Sequence, residues 1–289
     1  MRAAHLAKQA ATALAVSVLT AAGLTAQDMR LSSASRQRGA EPDINVHVRF
    51  GVGRFQLKPG REDALYRARL QYDAEAFEPI MRYDPLARRM TMGIEGLNRH
   101  GRGWDRDNPP EQWLNVELSP AVPADLELEF GAGTADVELG GLSVRRAHIK
   151  VGAAESVIRF SEPNRVTCEA LTFEAGAIDL KTEHLGNARC GRIEFKGAAG
   201  DITLDLTGAW PENSVTELDV TSALSAVTLL LPERLGVSVE MDRFLASFDR
   251  AGLRKRGNRY YSASYDTASA KLNVDVKTGI GSVEVRWVR

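Results

Sequence analysis

An apolar frame recurs along the middle of this chain. An anchor residue has an apolar neighbour two positions before it, and two more at seven and nine positions after it. Phe130 carries Leu128, Val137 and Leu139 in these places; Val151 carries Ile149, Ile158 and Phe160. Phe195 carries Ile193, Ile202 and Leu204; Val220 carries Leu218, Val227 and Leu229. Phe173 follows Leu171 but closes early, with Ile178 and Leu180. Outlying copies centre on Val48 and Val276. The five central anchors are 21, 22, 22 and 25 residues apart. Each apolar-x-apolar piece has the period-two pattern of a half-buried strand. Between the pieces sit small residues such as Gly131-Ala132-Gly133, Gly152-Ala153-Ala154, Ala175-Gly176-Ala177 and Gly197-Ala198-Ala199-Gly200. Such a unit cannot bury its own apolar face, whereas units stacked about 4.8 Å apart share one core. The pattern predicts an all-β, single-stranded β-solenoid, or β-helix-like stack, of rungs of about 22 residues. Its rungs are expected to pair parallel and in register, Phe on Phe and Val on Val.

A β-sandwich also places strands every 8–12 residues. Against it, no Asn-Gly or Asp-Gly hairpin turn joins the central strands, and the anchor spacings cluster tightly. The flanks alternate at Tyr66 to Tyr72, Met90 to Ile94 and Leu114 to Leu118, and again at Val237 to Val239 and Tyr261 to Ala263. These predict antiparallel capping strands, which a solenoid needs because a bare end exposes unpaired edges. Residues 73–80 could hold one helical turn. The expected organisation is a signal peptide at 1–26, a polar tether at 27–43, an N-terminal β cap at 44–125, the solenoid core at 126–231, and C-terminal rungs with a cap at 232–289.

Residues 1–26 change the picture of where the protein works. Arg2, His5 and Lys8 precede an uncharged Ala/Leu/Val-rich stretch, Ala10 to Leu24, and Leu24-Thr25-Ala26 offers a cleavage site. That stretch is shorter than the roughly 20 residues a membrane span needs. An exported chain is expected, periplasmic or at the cell surface, with no stable membrane span after cleavage. Lys plus Arg is 37 and Asp plus Glu 38. A near-neutral chain lacks the basic footprint of a nucleic-acid binder.

The stretches LELEFGAGTADVELGGL (126–142), LTFEAGAIDL (171–180) and LNVDVKTGIGSVEV (272–285) resemble the toast-rack proteins. These are bacterial β-solenoid-like extracellular domains found in adhesin-like proteins and at the C-terminus of LiaF-like cell-envelope stress regulators. LYRARLQYDAEAFEPIMRYD (65–84) looks like the family's N-terminal segment. The resemblance spans roughly 44–289. It implies a fold and an envelope location, and it brings no catalytic residues with it. LiaF-like members have membrane helices where this chain has a signal peptide.

Candidate chemistry is sparse. Cys168 and Cys190 each lie five before an anchor and are 22 apart, so they should stack on adjacent rungs. In an exported chain they form either a disulfide or a pair of buried thiols. The histidines, His5, His47, His100, His148 and His184, show no metal-ligand spacing, and His47 and His148 should face outward. Asp105 to Asn108 lacks the glycine and closing glutamate of a calcium loop. Acids such as Asp136, Glu155, Asp179 and Asp201 read as solvated strand faces rather than a glycosidase pair. No catalytic residue, cofactor or metal site is expected. Arg254, Lys255, Arg256, Arg259 and Tyr260 form one candidate contact surface and Trp104 another, while Trp113 reads as core. The expectation is a non-catalytic, adhesin-like binding or structural module that meets an envelope protein or glycan. An envelope-stress signalling accessory and a polysaccharide-active β-helix enzyme are the alternatives.

Overall fold

The computed structural model describes residues 28–97 and 111–289. Fifteen strands join in one sheet: β1 (Met29–Gln37), β2 (Ile44–Pro59), β3 (Ala64–Asp73), β4 (Phe77–Asp84), β5 (Arg89–Gly96), β6 (Trp113–Leu118), β7 (Ala124–Glu138), β8 (Val144–Arg159), β9 (Cys168–Glu183), β10 (Cys190–Asp205), β11 (Val215–Pro232), β12 (Gly236–Asp249), β13 (Arg254–Arg256), β14 (Arg259–Tyr261) and β15 (Lys271–Val288). The helical content of the described residues is a single 3-10 turn, Leu185–Ala188.

Eight of these strands are rungs, stacked β2-β7-β8-β9-β10-β11-β15-β12, every neighbouring pair parallel. Each rung bends at a corner into two arms; small residues form that corner in β7 to β10, whereas β11, β15 and β12 place Leu224, Ile280 and Phe244-Leu245 there. In β7 the buried positions run Ala124, Leu126, Leu128 and Phe130, pass exposed Ala132 and Gly133, and resume out of phase at Ala135 and Val137. The phase change lets both arms turn their apolar faces into one core. One column of that core runs Leu128, Ile149, Phe173, Phe195, Val220, Val276, all nearly inaccessible.

The register corrects the sequence frame in one place. Val151 was expected above Phe173, but Val151 pairs with Ala175, and Phe173 with Ile149. The corners decide this. A Cβ on Gly152 would lie 2.5 Å from the Gly131 carbonyl oxygen, and one on Gly176 would lie 2.7 Å from that of Gly152. Backbones therefore touch at the corners, where only small residues fit, and the glycines must coincide. Side chains adapt around them. Thr182 is buried opposite Ile158, and its hydroxyl answers the Thr203 carbonyl and the Asp205 N–H.

Stack order also departs from chain order. The C-terminal strand β15 inserts between β11 and β12, pairing Val276 with Val220 on one side and Met241 on the other. Val237 to Val239 thus belong to a parallel rung, not to an antiparallel cap. At the other end, 29–37 is not a tether. It is edge strand β1, antiparallel to β3. An edge strand with one wet face needs few apolar residues, which hid it in a polar segment. Residues 74–76 form a turn, and the expected helical turn gives way to β4. The expected antiparallel caps appear at β1-β3-β6, β4-β5 and β12-β14-β13, but the N-terminal cap is shorter than 44–125: β2 is itself a rung, and β5 and β6 join it parallel.

Candidate interaction surfaces

Parallel in-register stacking turns each outward position into a row across the strands. The row nearest the corner on the first arm reads Arg49, Glu129, Lys150, Glu174, Lys196, Thr221. Charges alternate along it. Glu129 meets Arg49 Nε at 3.0 Å and Lys150 Nζ at 3.1 Å. Hydrogen bonding from Lys150, outweighing desolvation, holds the Glu129 carboxyl below its ordinary range, and the same bond raises the Lys150 ammonium. These side chains wall a shallow groove of about 800 Å³ that runs along the stack axis over Val151, Gly152, Ala175, Gly176, Gly197 and Ala198. Sequence reading missed this row because alternation along a strand shows the face but not its neighbour. Only the rung spacing carries that signal.

One row further from the corner the pattern splits. His47, Glu127 and His148 stand in register, with His47 Nδ1 at 2.9 Å from Glu127 and His148 Nε2 at 3.1 Å from Glu174. Both histidines lie on the outer face, as their strand positions predict. The same row continues as four consecutive acids, Glu194, Asp219, Asp275 and Glu240. Stacked like charges are unfavourable, and cations from neighbouring positions offset them. Lys196 reaches Glu194 at 3.0 Å, Arg192 reaches Asp219 at 2.5 Å, and Arg259 takes both Glu240 and Asp275.

On the far side of the corner, Glu155, Asp179 and Asp201 line up on three adjacent strands beside a trough of Ala153, Ala177 and Ala199. The 22-residue step from Asp179 to Asp201 matches the rung spacing, whereas the 24-residue step from Glu155 hid the third member in the sequence. Among the described residues no group of three or more His, Cys, Asp or Glu is arranged to hold a metal ion.

Cys168 and Cys190 sit at matching positions of β9 and β10 and are joined by a disulfide, their Cα atoms 4.2 Å apart. The basic hairpin β13-β14 turns at Gly257, whose φ is +62°. Its cations are largely committed to the fold. Arg259 donates to Glu240 and Ser238 at 3.0 Å each and to Asp275, lashing the hairpin over β12 and β15. Arg256 pairs with Asp266 at 2.9 Å and lies over Tyr261. Lys255 and Arg250 both lie 5.8 Å from the Tyr260 ring, which packs edge-on against Phe248. Arg254 is left projecting into solvent. Arg259 and Tyr260 thus make the hairpin a lid on the core, while Arg254, Lys255 and Arg256 stay exposed on its outer strand. Trp113, at the start of β6, is half-buried. Trp104 and the Asp105 to Asn108 loop lie outside the described residues, as do 1–27.

Two family models together match residues 27–285. A family model described as the N-terminal domain of toast_rack, DUF2154, matches residues 27–181. A second, described as cell wall-active antibiotics response LiaF, C-terminal, matches residues 181–285. Protein LiaF of Bacillus subtilis (strain 168) is 28% identical over 100 residues, 33% of this chain and 42% of LiaF, so the chain spans less than half of that relative. A crystal structure of a candidate cell adhesion protein from Clostridium sporogenes ATCC 15579 covers 90% of this chain and 100% of its own, at 14% identity and TM-score 0.48. A candidate adhesin from Bacteroides fragilis NCTC 9343 covers 89% and 97%, at 9% identity and TM-score 0.41.

Proposed function

The chain belongs to the toast-rack family, and on that basis we propose that it is an exported, non-catalytic binding module of the cell envelope. The groove beside the Glu129, Lys150, Glu174, Lys196 row carries this reading. It is long, shallow and floored by backbone and small side chains. That shape suits an extended polymer lying along the stack, as solenoid faces generally do, and not a small substrate enclosed on all sides. Residues 1–26 supply the export signal in this reading, and the Cys168–Cys190 bridge suits an oxidising compartment.

Sedimentation with insoluble envelope polysaccharide tests it. The wild-type chain should co-sediment, and a Lys150→Glu, Lys196→Glu variant, which makes the four positions 129, 150, 174 and 196 along the groove all acidic, should bind about tenfold more weakly. Equal retention of both, or none of either, sinks the proposal, and release of soluble sugar fragments would make the protein an enzyme. The match of residues 181–285 to the LiaF C-terminal model favours a second reading, an accessory in envelope-stress signalling. It predicts capture by vesicles that carry membrane proteins, with none by protein-free vesicles.

A further inference from the structure

The last rung is finished on one arm only. β14 pairs with Ser238, Val239 and Glu240 of β12, while from Met241 to Asp249 no strand among the described residues pairs with that edge. Unpaired edges are templates for another strand. This one is also apolar. Phe244 is 80% exposed and Leu245 64%. Leu245 ends an in-register line with Ile280 and Leu224, both exposed, where earlier rungs place Ala199, Ala153 and Ala132. The row begins at Val52, which is partly covered by the core, runs through alanine in the middle rungs, and carries exposed large aliphatic residues in the three rungs at this end.

We propose that the second arm of β12 is where two copies of this chain meet, as antiparallel strands about a two-fold axis at Ala246. The segment complements itself in that arrangement. Residues equidistant from Ala246 face each other across the axis, so Arg243 meets the partner's Asp249, Asp242 meets the partner's Arg250, and Phe244 meets the partner's Phe248. Beside Phe248 and Tyr260 lies a hollow of about 390 Å³ whose lining includes Met241 and Lys255. Each exposed Phe244 is a knob for the partner's hollow, and a two-fold axis makes the knob and hole reciprocal. Backbone geometry agrees. The Ala246 carbonyl is turned to the open edge, where Arg243 Nη1 donates to it at 3.0 Å. The N–H and C=O of one residue point to the same edge of a strand. Ala246 can therefore exchange both bonds with its symmetry mate, releasing Arg243 to the partner's Asp249.

Sedimentation equilibrium of the full-length chain between about 1 and 100 µM tests this. The wild type should pass from monomer to dimer over that range. Arg243→Asp and Asp249→Arg should each weaken dimerisation at least about tenfold, and the double exchange should restore it. Phe244→Ala should weaken it without lowering the melting temperature, because that side chain touches little in the monomer. Ala246→Cys should give a disulfide-linked dimer under mild oxidation. A wild type still monomeric at the top concentration, a double exchange no better than the single changes, or a dimer indifferent to all four overturns the proposal.

Discussion

The two ends of the stack solve the same problem differently. At the N-terminal end both arms of β2 are continued, the first by β5 and the second by β6. Met90 and Met92 of β5 and Leu114 of β6 carry the core onward, and Leu65 and Leu70 of β3 extend it past β6, all with almost no exposure. At the C-terminal end, among the described residues, only the first arm of β12 is continued. Closure there rests on the Phe248–Tyr260 contact and on the Arg259 lash to Ser238, Glu240 and Asp275. One end is sealed by packing, the other by a lid held with polar contacts. A stack of parallel rungs can continue wherever the next strand brings a small corner. What stops it is separate machinery, and that machinery decides which end stays open to another chain.

The sharpest way to break this comparison is to remove volume at each end. Leu70→Ala should cost about 2–5 kcal/mol, because a fully buried side chain leaves a cavity in a rigid layer. Phe248→Ala removes a side chain that is only partly buried at a frayed end, and about 1–2 kcal/mol is expected from its smaller buried area. Urea unfolding of both variants gives the difference directly. Equal losses would mean that the two ends are sealed alike.

A smaller effect isolates the lid. Arg259→Ala removes donors from three acceptors while leaving the hairpin's apolar contacts. About 1–2 kcal/mol is expected, the lower part of that range at high salt, because the pair is partly exposed. The loss should be local. Hydrogen exchange should rise in Arg259–Tyr261 and Ser238 to Glu240 while β3 and β6 stay protected. A uniform rise would place Arg259 in the global fold instead.

How much of this was legible beforehand divides along a physical line. Period two and the Gly/Ala corners announced strands, rungs and parallel stacking, because burial acts on every residue of a rung. The matched positions of Cys168 and Cys190 followed from the same spacing. The Val151 register did not. Two apolar frames offset by two residues bury equally well, and the choice fell to backbone contact between Gly131, Gly152 and Gly176, which hydrophobicity does not encode. β1 was hidden because its stabilisation is mostly a backbone ladder, indifferent to polar side chains. The insertion of β15 before β12 was hidden because stack order is set by long-range pairing. Of the candidate contact residues, Arg254 and Lys255 remain at the surface, whereas Arg259 looked basic and free only because its acidic partners lie 16 and 19 residues away on other strands.

The smallest expected effect concerns how β1 is tied to the N-terminal end. Glu41 lies between β1 and β2 with its side chain mostly covered, accepting the Gly39 N–H at 2.6 Å and facing Arg36 at 3.6 Å. Burial alone would raise its carboxyl, but its own and the Gly39 N–H groups together with Arg36 outweigh that and hold it below 4.5. A carboxyl depressed on folding contributes stability that is fully present above its unfolded value and is lost as pH falls through the folded one. Exchange of the β1 amides, corrected for the intrinsic pH dependence, should therefore be flat from pH 7 to 5. It should then rise by a factor of about two to five on going below the ordinary carboxylate range. Glu41→Gln should abolish that step while leaving β12 untouched. A β1 that loosens between pH 7 and 5, or a step that survives in Glu41→Gln, would show that something other than this carboxylate ties the first strand down, and that the N-terminal end is not closed in the way its packing indicates.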